Sequence, residues 1–211
     1  MDRANRAQGA GPVKILLVGA NGTLGQSVRA ALRERGHDVL SASRKDSDIA
    51  VDITDPRSIQ AMYERAGRVD AVACAAGSVP WRQLSELSHQ DMLDGMVGKA
   101  LSQVELVRQG SPLVSESASF TLITGVLARD PIFTGTVASL ANGAVESFVR
   151  AAAIELPHRQ RINAVSPTVF TESLAEYGDA FIGFEPEPVR KSAQAYVRSI
   201  EGHQTGRIFE I

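Results

Sequence analysis

Three glycines, Gly19, Gly22 and Gly25, recur at a spacing of three in the segment GANGTLG. Glycine suits a tight turn, and the missing Cβ lets the main chain approach a bulky anion closely. With a strand before this segment and a helix after it, the free N–H groups near Asn21, Thr23 and Leu24 face a pyrophosphate, as does the positive helix end. The spacing points to a dinucleotide, with an ordinary strand-to-helix turn as the alternative. A second group bears on which dinucleotide. Sites of this kind that take NAD carry Asp or Glu at the end of the next strand, to hold the ribose hydroxyls. This chain reads SASR there, so Ser43 stands near the acid's place and Arg44 follows. A guanidinium clamps a 2′-phosphate that a carboxylate would repel, so NADP(H) is expected over NAD(H), a solvated arginine being the alternative. The third group is Lys99, one of four lysines, set in the largely apolar stretch GKALSQVELV. Burying an ammonium there is costly without a role or partner, unless the side chain snorkels to the surface.

These residues need a frame. Apolar runs of strand length alternate with segments of helical period, which implies βαβ units around a parallel sheet. Strands are expected at residues 13–19, 38–43, 49–53, 71–75, 119–124, 161–165 and 207–211. Helices are expected at 24–35, from the Asp55-Pro56 start, at 91–109, at 137–156 and at Val189–Glu201. The fold class is therefore α/β, a doubly wound parallel seven-stranded sheet of the NAD(P)-binding Rossmann type. Residues 1–11 are expected as a disordered tail and 12–211 as one domain.

The composition fits a globular chain of 211 residues, 44% hydrophobic and 22% charged. A formal charge of −2 gives no reason to expect nucleic acid or an anionic membrane as partner. The single cysteine, Cys74, rules out an intrachain disulfide and fits a reducing compartment. No apolar run reaches the roughly 18 residues of a span, so the expected location is cytoplasmic. No grouping has metal-ligand spacing, and no Gly-x-Ser-x-Gly elbow occurs.

Four further segments carry a resemblance: VDITD around Asp52, CAAG at Cys74–Gly77, INAVSP at 162–167 and TGRIFEI at 205–211. In their order and spacing the chain resembles the short-chain dehydrogenase/reductase family from Val13 to its end. The resemblance implies that Asp52, with Ile53 beside it, meets the adenine. It also implies that Ala75, Ala76 and Gly77 lie along the cofactor, and that Pro167 and Thr171 meet the nicotinamide. It implies a homodimer or homotetramer as well, formed through the helices at 91–109 and 137–156. The faces expected to pair carry Met96, Ala100, Leu106, Ala141, Val145 and Ala152.

The family's catalytic pattern is not followed. Its tyrosine, lysine and serine fall at Ala138, Asn142 and Gly125, the last beside Thr124. Lys99 falls at the family's helix asparagine, so lysine and asparagine have changed places. In this the chain is similar to a short subgroup that lacks the usual residues. Lys99, Thr124, Asn142 and, in the short lid segment at 168–188, Tyr177 are the candidates for chemistry. Three readings stay open: an NADP(H)-dependent oxidoreductase on a small carbonyl or alcohol, a non-catalytic NADP(H)-binding protein, or a non-redox enzyme in the same pocket.

Overall fold

The protein is described by a computed structural model covering residues 11–211; the expected tail lies outside the described residues except for Gly11. Seven strands pair in parallel: β1 (Lys14–Val18), β2 (Asp38–Ser43), β3 (Ile49–Ala50), β4 (Ala71–Cys74), β5 (Ser119–Ile123), β6 (Arg161–Ser166) and β7 (Ile208–Glu210). Their spatial order is β3-β2-β1-β4-β5-β6-β7. Strands β4 and β5 are buried at every residue, as continuous apolar runs between two helical layers should be. Helices α1 (Thr23–Glu34) and α7 (Val189–Glu201) pack together on one face of the sheet. On the other face α2 (Pro56–Ala66) lies against α4 (Ser102–Gly110), which lies against α5 (Thr136–Glu155).

Local chemistry sets the element ends. Asp55 caps α2 by accepting from the Arg57 N–H, with Pro56 at the first helical position. Helix α1 buries Leu24, Val28, Ala31 and Leu32 in one stripe and is followed by Gly36 at φ +82°. The third strand stops two residues in, short of the expected 49–53. After Val51 donates to the Ser43 carbonyl, the Asp52 carboxylate captures the Thr54 N–H and turns the chain away.

The long helix is also more articulated than its sequence period implies. It opens with α3 (His89–Gly95), started by a reciprocal Ser88/Asp91 capping box, and reaches α4 through a π turn over Met96–Leu101. Close approach explains where the helix bends. A Cβ on Gly95 would lie 2.1 Å from Val137 Cγ1, and one on Gly98 2.6 Å from the Ser78 carbonyl oxygen. The expected pairing face for assembly is corrected here: Ala100, Leu106, Ala141, Val145 and Ala152 are buried inside the chain itself. The exposed large apolar residues of these helices are Met92, Leu93, Val97, Leu101, Leu140 and Ile154.

The tightest backbone contact lies between β1 and α1. A Cβ on Gly25 would sit 2.0 Å from the Gly19 carbonyl oxygen, which is main chain and cannot swing aside. Gly25→Ala is therefore expected to lower stability by about 3 kcal/mol or more, read as a fall in Tm with the parent protein as control.

Candidate active site

Two cavities open along the carboxyl edge of the sheet and share Ala75, Ala76, Gly77 and Ser78, so they form one crevice. The first, about 720 Å³, runs from the glycine loop to the end of β2. The second, about 410 Å³, lies over the ends of β5 and β6 beneath the lid segment.

The glycine loop divides its tasks. Gly19 has φ +81°, and a Cβ there would meet the Ala75 carbonyl at 2.8 Å, so the turn and the crossing of β4 both require glycine. Gly25 serves helix packing and does not line either cavity. Gly22 alone faces open space, with only the Gly19 oxygen within 4 Å of where its Cβ would stand. It is also the N-cap of α1, has no side chain to cap with, and no acidic residue occupies the first turn. The first N–H groups and the positive helix end are left for an anion. Thr23 begins the helix as an exposed residue, and Leu24 lines the second cavity.

Asn21 does something its sequence did not reveal. Its amide donates to the carbonyls of Lys45 (2.7 Å) and Asp46 (3.0 Å), tying the glycine loop to the loop after β2. That second loop places Arg44 and Lys45 at the cavity wall, exposed, and neither forms an ion pair among the described residues. Ser43 Oγ is buried at the same wall with no hydrogen-bond partner. Asp52 and Ile53 line the far side. The Asp52 carboxyl is held below the usual carboxylate range, first by its Thr54 hydrogen bonds and lastly by the Arg44 charge. A glycine-lined cradle, uncapped N–H groups, an orphaned hydroxyl and two cations without an ion-pair partner among the described residues fit a dinucleotide.

The second cavity collects all four candidates for chemistry: Lys99, Thr124, Asn142 and Tyr177. Lys99 is half-buried, and its stem passes Gly77, where a Cβ would be 3.0 Å from Lys99 Cγ. Its Nζ donates to the Thr124 carbonyl at 3.4 Å. Burial pushes the Lys99 pKa down to about 8, against a smaller raising effect of Cys74. The Cys74 thiol is itself pushed up to about 11 by burial, so it stays protonated and supplies no counter-charge. Asn142 is buried on α5 with Oδ1 unpartnered, and a side chain at position 125 would press on its Nδ2 at 3.3 Å. Gly125 thus makes room for Asn142.

Two expected placements change. Thr124 offers Lys99 its carbonyl; its hydroxyl turns away to Glu146 Oε1 (3.3 Å) and the Val165 carbonyl (3.4 Å). Thr171 is exposed and outside both cavities, its N–H held by the Glu187 carbonyl, while Pro167 and Thr168 line the second cavity in its stead. Tyr177, half-exposed in α6 (Leu174–Tyr177), stacks obliquely on Trp81 and edge-on against Phe181, with centroids 6.1 and 5.2 Å apart. Burial, then the Glu176 charge, raises its phenol pKa, which makes it a weaker acid.

Sequence reasoning missed several contributors. Gln103, fully buried one turn after Lys99, donates to the carbonyls of Lys99 and Ile123 (both 2.9 Å) and accepts from the Ile123 N–H (2.8 Å). Glu146, buried on α5, gathers Thr124, Ser166, Arg129 and Arg150. A polar residue four places after Lys99 on an apolar stripe was the available signal for Gln103. No local pattern marked Glu146 or Trp81.

Comparison with known proteins agrees with this geometry. A family profile described as enoyl-(acyl carrier protein) reductase matches residues 5–195. L-xylulose reductase of Mesocricetus auratus is 25% identical over 183 residues, covering 76% of this chain and 73% of its own. The Bos taurus L-xylulose reductase is 26% identical, covering 74% and 71%. Among solved structures, the protein lin1944 from Listeria innocua superposes with a TM-score of 0.92 at 42% identity, covering 94% of this chain and 98% of that one. A small-chain dehydrogenase in complex with NADPH shares the fold with a TM-score of 0.84 at 21% identity, covering 95% and 96%. The chain belongs to the short-chain dehydrogenase/reductase family of oxidoreductases, which bind a nicotinamide cofactor.

Proposed function

We propose that the protein is an NADP(H)-dependent oxidoreductase of a small carbonyl or alcohol, in which Lys99 carries the proton that the family's tyrosine usually carries. The observation behind this reading is the Lys99 ammonium at the floor of a cavity continuous with the phosphate cradle. The preference for NADP(H) rests on Arg44 and Lys45 at the end of β2, where an acidic residue would favour NAD(H). It gains support from the fold neighbour solved with NADPH.

The nicotinamide, when bound, supplies the hydride that a carbonyl carbon accepts. Lys99 gives a proton to the carbonyl oxygen as that oxygen gains charge, and the Asn142 amide orients the polar end of the substrate. Trp81, Tyr177 and Phe181 line one side of the cavity and give it an apolar wall for the carbon part of a substrate. Among the described residues no carboxylate or guanidinium lines this second cavity, so an uncharged substrate of small size fits it best. Substrate entry over an aromatic wall is compatible with aryl or short alkyl carbonyl compounds.

The assembly proposed is a cytoplasmic homodimer or homotetramer, built on the exposed stripes Leu93, Val97 and Leu101 on one helix and Leu140 and Ile154 on α5. No helix among the described residues is long and apolar enough to cross a membrane.

Arg44→Ala should weaken NADPH roughly tenfold to a hundredfold, the worth of one charge-assisted contact, and leave NADH within about twofold in a fluorescence titration. Equal losses for both nucleotides would refute the 2′-phosphate assignment. Because reduction needs the charged form of Lys99, kcat for carbonyl reduction should fall as pH rises through about 8. Lys99→Met should lower kcat by about 10²-fold or more, with only a modest change in cofactor affinity. A parallel loss of affinity and rate would make Lys99 a binding group for the cofactor. Light scattering at micromolar concentration should give a dimer or tetramer that Leu140→Glu dissociates; a monomeric parent protein would rule out these stripes as an interface.

A further inference from the structure

Lys99 has a second chemistry open to it that the reduction does not use. Its Nζ has one protein acceptor, the Thr124 carbonyl at 3.4 Å, and no carboxylate within ion-pair distance among the described residues. The titratable groups on the elements packed around it do not balance its charge. Cys74, at the end of β4, stays a thiol, and Tyr177, from the lid, is an uncharged phenol. Glu146, further along α5, is turned to Arg129, Arg150 and the Thr124 hydroxyl. The other three lysines are differently placed. Lys14 is bound to the Ala66 carbonyl, Lys191 is paired with Glu187, and Lys45 is exposed at the mouth of the first cavity.

We propose that Lys99 is an imine-forming lysine: its neutral amine condenses reversibly with a small aldehyde or ketone held in the second cavity. The amine nitrogen bonds to the carbonyl carbon to give a carbinolamine, and the C–O bond then breaks. Oxygen leaves as water after taking up a proton from solvent, and the C=N bond replaces C=O with no net oxidation or reduction. Two features of the cavity suit these steps. The unpartnered Asn142 Oδ1 accepts a hydrogen bond from the carbinolamine hydroxyl, and burial of the amine at a floor whose described lining has no carboxylate disfavours its charged form before attack. Burial pushing the Lys99 pKa down to about 8 leaves roughly a tenth of the amine neutral at pH 7, enough for nucleophilic attack. Such a lysine would serve isomerisation or carbon–carbon bond chemistry of carbonyl compounds, since an iminium withdraws electrons from the neighbouring carbon more strongly than the parent carbonyl does.

The inference rests on the reading of this cavity as a carbonyl site, but the two use opposite forms of the amine. Reduction needs the ammonium and falls above about pH 8, whereas imine formation needs the free amine and rises there. The test is reductive trapping of the intact protein with benzaldehyde and cyanoborohydride, with benzylation of each lysine measured by peptide mass spectrometry. Lys99 is expected to be labelled at least tenfold faster than exposed Lys45 near pH 7, with a rate that climbs between pH 7 and 9. Lys99→Arg, which keeps the charge, should lose that label and no other. Labelling of Lys99 no faster than that of Lys45 overturns the proposal. Carbonyl reduction that persists alongside such a result leaves the oxidoreductase reading standing, while absence of both activities removes the cavity's assignment as a carbonyl site.

Discussion

Main chain passes main chain at the top of β1 with no side chain between, and the rest of the crevice follows from that contact. Gly19 donates to the Ala42 carbonyl of β2 at 2.8 Å while Ala75, after β4, donates to Val18 at the same distance. The strand order reverses here: the chain moves from β1 outward to β3, then returns to β4 on the other side of β1. The loops after β1 and β4 therefore diverge to opposite sides, and the gap between them is the crevice. A Cβ at Gly19 would press into Ala75 at 2.8 Å and one at Gly25 into the Gly19 carbonyl at 2.0 Å, so Gly19 fixes how closely the segment after β4 passes and Gly25 how closely α1 approaches the sheet. Gly22, which meets no such barrier, is left for the ligand.

A second contact sets the position of Lys99. The ladder between β4 and β5 ends at the Ala73–Thr121 pair, because β4 stops at Cys74 and its chain turns outward. Ile123 would then have a buried N–H and C=O unpaired on that side, at a cost of about 1–3 kcal/mol each. Gln103 takes the place of the missing strand: its amide oxygen accepts from Ile123 N–H and its amide nitrogen donates to Ile123 C=O. The remaining amide hydrogen goes to the Lys99 carbonyl in the π turn. One side chain thus joins the end of β5 to the turn that carries the lysine, and the floor of the second cavity is tied directly to the sheet.

Much of this was legible in the residues. The strand-length runs, the Asp55-Pro56 start and the glycine triplet each state a local physical requirement, and each element stands within a few residues of its expected place. What was hidden depends on tertiary contact. Whether Ala100 and Ala141 face a partner or the chain's own core is a question of which side of the helix meets α5 and the sheet, and small residues suit both. The π turn inserts into a helix whose hydrophobic period looks regular, because it answers Ser78 and Val137, which are distant in sequence. Asn21 lines the first cavity from its place in the glycine loop, but that its amide also holds the Lys45 and Asp46 carbonyls depends on another loop altogether. Thr171 was placed by counting along a lid whose length departs from the family's, and the Phe170–Glu187 bridge carries it to the surface.

On the proposed reading, in which lysine and asparagine have changed places between two helices, the lysine takes a different role. In the family's usual arrangement a lysine beside a tyrosine makes the phenol the acid, and its own charge stays fixed. Here Ala138 at the tyrosine's place leaves no phenol next to α5, and the Tyr177 phenol in the lid has its pKa raised by burial. That leaves Lys99, whose pKa burial lowers to about 8, as the acid proposed for this cavity. Burial lowers its pKa: Gly77 admits the stem into the floor, and no carboxylate on the described lining offsets the effect. Adding a carboxylate there would hold the ammonium charged to higher pH and withdraw the free amine that imine formation needs, so the absence of an ion-pair partner at Lys99 among the described residues bears most directly on that second proposed use.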